Sequence, residues 1–517
     1  MESKSEYYLL GVDIGTSSSK GVIIDSKGKV TAEALVEHDI TILRPGWIEQ
    51  DPVKCYWGDF KQIVNILLKR AGISPENIRG IGISSLSPDI VPINEKGDVI
   101  RPSIIYMDRR AWKECEEIKN KLGEAFILKH TGNAIDPYFA GYKLIWYMKN
   151  EPENYEKTWK VLNADKYVVF KLTDIPSIDR TNAMIFSPYY DMNKNGWSEK
   201  MSELVGGGIE KLPEIFDPHQ IVGYVSQKAA QETGLSPGTP VVASGPDAIV
   251  SAYSVGMTQN GESCFMYGTT GCWFVVVDKP IIDKRLLSTC HVVPEKYIVG
   301  GGMIATGALV RWFRDNFGQI EKYEEESSGI SAYQLLDKQA ERINPGSDGL
   351  VVLPYFMGER TPIWDVNARG LIFGLTLSHT RAHLYRALLE AAGYGLRHHI
   401  EIARSLGVNI KEMLAVNGGA KSKLWRQIIS DITGITQFYV SPAPGAPYGD
   451  AFIAGVGVGI FKNFDEIKKY VSIKEKTEPN AENHKLYSKL YDLYLKLYPQ
   501  VKDSYNELRD IMSQQIQ

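Results

Sequence analysis

Cysteine is scarce. Five residues (Cys55, Cys115, Cys264, Cys272, Cys290) are scattered through 517, odd in number and never in a CxxC arrangement. That usage argues against a disulfide framework or a cysteine zinc site and suits a reducing compartment. Long apolar runs are missing too. The longest mostly apolar stretch, 451–461, is far short of the roughly 20 residues that a membrane-spanning helix needs. The opening MESKSEYYLLGVDIG has no long apolar segment. No signal peptide and no membrane partner are therefore expected, and the expected location is cytoplasmic. Nor is there an excess of one charge: 58 Lys+Arg stand against 62 Asp+Glu, a net −4. The basic residues are dispersed without interleaved aromatics, so nucleic acid is not an expected partner. GxxxxGK[ST], GxGxxG and a protein-kinase catalytic loop are all absent. The adjacent His398 and His399 would point about 100° apart on a helix, which rules them out as a metal pair.

What is present is a normal globular balance, 44% apolar and 23% charged. The length favours two to four domains. Short β-rich runs at 7–14, 21–24 and 30–38, a helical pattern at 53–71 and a strand at 80–84 read as α/β. A second β-rich block opens at Glu262, and FMYGTTGCWFVVVD echoes VDIGTSSSKGVIID as strand, Gly-Thr turn, strand. Helices are expected at 383–406 and 423–433. The Leu and Tyr spacing of KLYSKLYDLYLKLYPQ predicts a helix packed on the body. A boundary near Gly256 divides the chain into 1–256 and 257–517.

Four motifs carry chemistry. Asp13-Ile14-Gly15-Thr16-Ser17-Ser18-Ser19-Lys20 joins two strands; its small hydroxyl residues and glycine suit a turn that cradles phosphate oxygens. Asp13, at the strand end, suits Mg²⁺ directly or through water. Tyr267-Gly268-Thr269-Thr270-Gly271 is a matching turn in the second block. Ser244-Gly245-Pro246-Asp247-Ala248 ends a buried strand, where α/β proteins place ligands. Asp247 reads either as the base that accepts a proton from a substrate hydroxyl or as a helix N-cap. Val416-Asn417-Gly418-Gly419-Ala420 runs from strand to turn to helix, and its glycines would let a flat base or ribose lie against backbone.

Together these residues resemble the FGGY carbohydrate kinases, along nearly the whole chain. DIGTSSSK and YGTTG look like the family's two phosphate loops, and GGAKSKLWRQIISDITG like its adenosine-side signature. PYFMGERTPIWD (354–365) and GALVRWFRD (307–315) are similar to family-typical segments. The resemblance implies an α/β fold of two actin/hexokinase-like (ribonuclease H-like) ATPase domains with a cleft between them. It implies a kinase using ATP and Mg²⁺ on a small sugar. By position it implies Asp13 as the metal-associated acid and Asp247 as base. Thr16, Ser17, Ser18, Gly268, Thr269, Gly307, Gly419 and Lys423 fall on the nucleotide side, and Ser87, Asp89 and Asp108 on the sugar side. Within the family the chain looks most like pentulose kinases, xylulokinases first, through TGNAIDPYFAGYKLIWYMKNEPE. MDRRA at 107–111 looks like ribulokinases instead. Ser87-Pro88 stands where xylulokinases carry Met-His and glycerol kinases Arg-Glu. D-xylulose is the expected acceptor, with ribulose, gluconate, glycerol or a non-sugar conformational ATPase as alternatives. The oligomeric state is open, with a homodimer among the options.

Overall fold

A computed structural model describes residues 7–441 and 445–514. The first half is built on a mixed six-stranded sheet. In it β1 (Tyr8–Ile14), β2 (Ser18–Asp25) and β3 (Val30–Glu37) form an antiparallel meander. β4 (Ile78–Ser85) joins parallel to β1, and β5 (Ile221–Tyr224) and β6 (Pro240–Val242) complete the order β5-β6-β4-β1-β2-β3. The second half repeats this plan with β7 (Glu262–Tyr267), β8 (Gly271–Val277), β9 (Leu287–Cys290), β10 (Tyr297–Met303), β11 (Glu412–Val416), β12 (Gln437–Val440) and β13 (Ile473–Thr477). Its order is β9-β10-β8-β7-β11-β12-β13, with β7 parallel to β11 as β1 is to β4. The weak sequence echo between the two blocks is therefore a shared topology.

The helices follow their apolar spacing. In α1 (Asp59–Ala71), Phe60, Ile63, Val64 and Leu67 recur at i, i+3, i+4 and i+7 and are buried, and Gly72 ends the helix at φ 63°. The expected helix at 53–71 thus continues a turn of π-helix at 52–58. The elements that bear on the site are α2 (Ala164–Thr173), α3 (Asp247–Ser254), α4 (Gly307–Phe317), α5 (Arg381–Ser405), α6 (Lys423–Thr433), α7 (Gly445–Gly457) and the terminal α8 (Ala481–Gln514). In α8, Tyr487, Tyr491, Tyr494 and Leu497 are buried in the second core, as their spacing predicts.

The two halves are not joined by a linker alone. α7 lies beyond the expected boundary in sequence yet packs on the first sheet. A Cβ on Gly11 of β1 would sit 1.8 Å from the Pro447 carbonyl oxygen, and one on Gly82 of β4 2.2 Å from that of Asp450. Only glycine permits helix and strand to approach so closely. Leu9, Val22, Val250, Met266, Val416 and Phe452 share one apolar cluster drawn from both halves.

Candidate active site

The parallel strands β1 and β4 end side by side. Asp13 pairs in register with Ser84, and Ile14 with Ser85. Ser85 in turn bridges Pro246, immediately before α3. Asp13 and Asp247, 234 positions apart in the chain, are thereby brought to one sheet edge on either side of β4, at the carboxyl ends of the strands. The turn into α3 is strained: Ser244 holds φ 53°, a left-handed conformation uncommon for a residue with a side chain.

A third carboxyl, Asp450 of α7, closes the group from behind. Ser84 Oγ donates to Asp450 Oδ2 at 2.6 Å and lies 3.5 Å from Asp13 Oδ1, and Ser244 Oγ also bonds Asp450. Burial holds the Asp450 carboxyl well above the ordinary range. Asp165, at the start of α2, belongs to the same field and shares one cation with Asp179: buried Lys166 Nζ lies 2.7 Å from Asp165 and 2.9 Å from Asp179, and burial still raises the Asp165 carboxyl. Asp13 and Asp247 have no such partner. Burial raises both carboxyls, and the charge of Asp13 raises Asp247 further. Hard carboxylate oxygens with unbalanced negative charge fit a divalent cation. Among the described residues no three His, Cys, Asp or Glu side chains converge on a metal. An ion there would complete its shell with water and phosphate oxygens.

The first turn, 15–17, is fixed from its carbonyl side. Gln50 Nε2 donates to the Thr16 carbonyl at 2.7 Å, and His38 Nε2 to that of Gly15 at 3.0 Å. His38 Nδ1 faces Asp59 Oδ2 at 2.6 Å. Both ring nitrogens therefore face acceptors, which calls for the doubly protonated ring. Burial opposes that charge, but the hydrogen bond and charge of Asp59 outweigh it and raise the pKa. A cation thus sits behind the turn. Thr16 and Ser18 stay partly accessible and Ser17 is exposed.

The second turn sits on the start of α4. Gly307 N–H donates to the Gly268 carbonyl at 2.9 Å, and Thr306 and Ala308 N–H to that of Thr269 at 3.1 and 3.0 Å. A Cβ at Gly307 would meet the Gly268 oxygen at 2.5 Å. Gly307 therefore shapes the turn from beneath instead of lining the site. β7 and β11 end together, and Asn417, at φ 72°, brings its side chain near Gly268. Of the two glycines after it, Gly419 packs against Trp425 and Tyr267, whereas a Cβ at Gly418 would meet nothing within 4 Å. Gly419 is thus needed for packing, and Gly418 has open space beside it. The Lys423 side chain is 79% exposed and lies 3.4 Å from Glu475.

On the acceptor side, Ser87 Oγ donates to Asn182 Oδ1 at 2.5 Å, and the Tyr138 hydroxyl lies 3.4 Å from the Ser87 carbonyl. Tyr106 and Tyr138 both feel Asp247 and Arg360, and Tyr106 also touches Thr16. The two acids expected at the sugar, Asp89 and Asp108, are both buried and internally bonded. Asp89 is fully buried, accepting from Ser103 Oγ at 2.9 Å and Ala164 N–H at 3.3 Å; burial pushes its carboxyl up to about 7. It ties α2 to the strand before it. Asp108 accepts from Ile48 N–H at 2.6 Å, from Arg110 N–H and Nε at 2.9 Å each, and from Arg110 Nη2 at 2.7 Å. With a fully buried side chain, it has no lone pair left for a sugar. Asp108→Ala is expected to cost about 1–3 kcal/mol of stability, because it leaves the buried N–H donors of Arg110 and Ile48 without their acceptor while Glu49, 2.8 Å away, still holds the Arg110 charge. It should leave the KM for the acceptor near its original value. Chemical denaturation together with kinetics on the surviving folded fraction checks both; a raised KM at unchanged stability would restore Asp108 to the pocket.

Asp450, His38, Asp59, Tyr106, Tyr138, Asn182 and Arg360 were not singled out from sequence. A lone Asp within the apolar, small-residue run AFIAG-flanked 445–457 was the one local signal among them. The others are recognisable only by what they meet in space.

Comparison with known proteins agrees with this geometry. The model of the FGGY family of carbohydrate kinases, N-terminal domain, matches residues 8–254, and that of its C-terminal domain residues 264–458. A gluconokinase of Bacillus subtilis is 28% identical over 512 residues, 97% of this chain and 98% of the relative. A xylulose kinase of the same organism is 27% identical over 499 residues, 96% and 97% of the two chains. The crystal structure of a xylulose kinase from Rhodospirillum rubrum matches with a TM-score of 0.88 at 30% identity, over 96% of this chain and 100% of that one. A gluconate kinase from Lactobacillus acidophilus shares the fold, with a TM-score of 0.90 at 23% identity over 97% and 100%. The chain belongs to the FGGY family of carbohydrate kinases.

Proposed function

We propose that this kinase transfers the γ-phosphoryl group of ATP to a hydroxyl of a pentulose, D-xylulose ahead of ribulose, with Asp247 as general base. The observation that carries the reading is the convergence of Asp13 and Asp247 at one sheet edge, with a phosphate-type turn on each half of the molecule. The turns at Thr16–Ser18 and Gly268–Thr269 would hold the phosphates from both sides, and Gly418 would give the adenosine room. Asp247 would accept the hydroxyl proton as the acceptor oxygen attacks phosphorus. Asp13 would hold Mg²⁺ beside the phosphates, where the ion neutralises negative charge. Asn182, Tyr138 and Ser87 offer neutral hydrogen-bonding groups to a polyhydroxy ketone. A conformational ATPase of this fold would need no base beside such a pocket.

Gluconate is the second reading. Asp89 and Asp108, whose charges would have repelled an aldonate, are turned away from the pocket and internally bonded. A gluconokinase is also among the relatives of full length. We take 1–256 and 257–517 as the two units that close on the substrates, with α3 and α7 at their junction.

The test is kcat/KM for D-xylulose, ribulose, gluconate and glycerol with ATP and Mg²⁺ under one set of conditions. Glycerol should be poor, because Ser87 and Pro88 supply no charged bidentate contact and Pro88 has no backbone donor. D-xylulose should lead. If gluconate exceeds both pentuloses by about tenfold or more, a difference of about 1.4 kcal/mol in transition-state binding, the second reading replaces the first.

A further inference from the structure

The segment 354–365 stands out in sequence, yet nothing in the chemistry above uses it. In the structure it is a loop locked onto the end of β10. Glu359 and Asp365 exchange two backbone hydrogen bonds of 2.9 Å, and Trp364 holds φ 48°. Glu359 Oε1 accepts from the N–H groups of Ile304 and Arg360, each at 2.9 Å. Thr361 Oγ1 accepts from Gly302 N–H at 2.8 Å and meets His399 Nε2 at 2.9 Å. β10 carries glycines where the loop lies on it. A Cβ at Gly301 would fall 2.5 Å from Thr361 Oγ1, and one at Gly302 2.7 Å from Arg360 Nη2.

All of this fixes one side chain, Arg360. Its Nε is buried without a hydrogen-bond partner, and its guanidinium forms no ion pair among the described residues. The neighbouring carboxyl, Glu359, is spent on backbone N–H groups. Besides Glu359, the groups that feel the Arg360 charge include Tyr106, Tyr138 and Cys272. Cys272 directly follows the second turn, 267–271, and the two phenols feel the charge of Asp247. A partly buried guanidinium with no ion pair among the described residues marks a place where an anion arrives. A rigid, forked guanidinium suits phosphate oxygens.

We propose that Arg360 is a catalytic residue that contacts the phosphoryl group as it passes from nucleotide to acceptor. This rests on the kinase reading above. The acceptor oxygen forms its bond to the γ-phosphorus while the bond from phosphorus to the bridging β,γ-oxygen breaks. The electron pair of that bond stays on the ADP oxygen, and the acceptor proton goes to Asp247. Arg360 donates to the equatorial oxygens, whose charge it balances most fully midway, so it acts on kcat more than on binding.

The experiment compares the full-length protein with Arg360→Gln and Arg360→Lys. Binding of ADP with Mg²⁺ is measured with and without aluminium fluoride, a mimic of the phosphoryl group in transfer, alongside kcat and KM for ATP, D-xylulose and gluconate. We expect ADP alone to bind all three proteins within about threefold. Fluoride should trap ADP on the original protein and fail to do so on Arg360→Gln. kcat should fall about 10²–10³-fold with every acceptor, and Lys should restore part of it. Equal trapping of ADP by Arg360→Gln overturns the proposal and leaves the kinase reading intact. So does a loss confined to the KM of gluconate, which would make Arg360 a carboxylate contact. An original protein that neither binds ADP nor phosphorylates any acceptor overturns both.

Discussion

Asp247→Asn is expected to lower kcat by about 10²–10⁴-fold, the usual loss when a positioned base is removed, without destabilising the protein. Asp247 Oδ1 accepts from Ala248 N–H at 2.6 Å. An asparagine oxygen keeps that bond, so the start of α3 is preserved. The substitution also removes a buried like charge facing Asp13, so thermal stability should hold or rise. The pH dependence gives a second readout. Burial and the charge of Asp13 raise the Asp247 carboxyl. The acid limb of kcat/KM should therefore lie above the ordinary carboxylate range, because the base must be ionised to work and holds its proton to higher pH. Steady-state kinetics from pH 5 to 9 and a thermal melt measure these effects. Near-full turnover in Asp247→Asn would leave Asp247 as a structural residue of the turn.

The second large effect is expected at Asp13. Phosphoryl transfer is mostly positioning and charge neutralisation, so a residue that holds the neutralising ion controls the rate. Asp13→Asn should reduce Mg²⁺-saturated turnover by about 10²-fold or more and raise the Mg²⁺ concentration needed for half-maximal rate. Binding of the acceptor should change little, since Asp13 pairs with Ser84 on β4, whereas Ser87 and Asn182 bond each other beyond the end of that strand. The same substitution removes the like charge that raises Asp247, so the acid limb of the residual activity should move to lower pH. Opposite signs on two readouts, a loss of rate and a downward limb, separate this role from simple damage. An unchanged Mg²⁺ requirement at normal rate would end the assignment.

The sequence was informative where function needs a local backbone shape. A turn between two strands that exposes N–H groups must be short, glycine-containing and hydroxyl-rich, so 13–20 and 267–271 could be found by reading along the chain. The same holds for periodic burial: the spacing of Phe60 to Leu67 and of Tyr487 to Leu497 dictates helices whatever surrounds them. α6 was read with its observed ends, 423–433, because Ser422 caps it and Gly434 stops it at φ 68°. Even Asp247 could be named a candidate from its place after a buried strand.

What each carboxyl meets was not legible there. Asp13, Asp89, Asp108, Asp247 and Asp450 are chemically identical in sequence, and the fold gives them different fates. Asp108 is consumed by Arg110 and the backbone of Ile48, and Asp89 by Ser103 and α2. Asp450 is buried under two serines from the other end of the chain. Asp13 and Asp247, with no ion pair among the described residues, are left facing the turns. Arg360 shows the converse: a guanidinium in a loop reads as solvated until the structure places its Nε out of water with no partner. Strand register and glycine-permitted contact across hundreds of residues decide these pairings. Because the energy of a buried charge depends on its neighbours far more than on its own identity, the chain by itself determined the fold and its two Gly-Thr turns, and the tertiary structure alone decided which charges were left free to do chemistry.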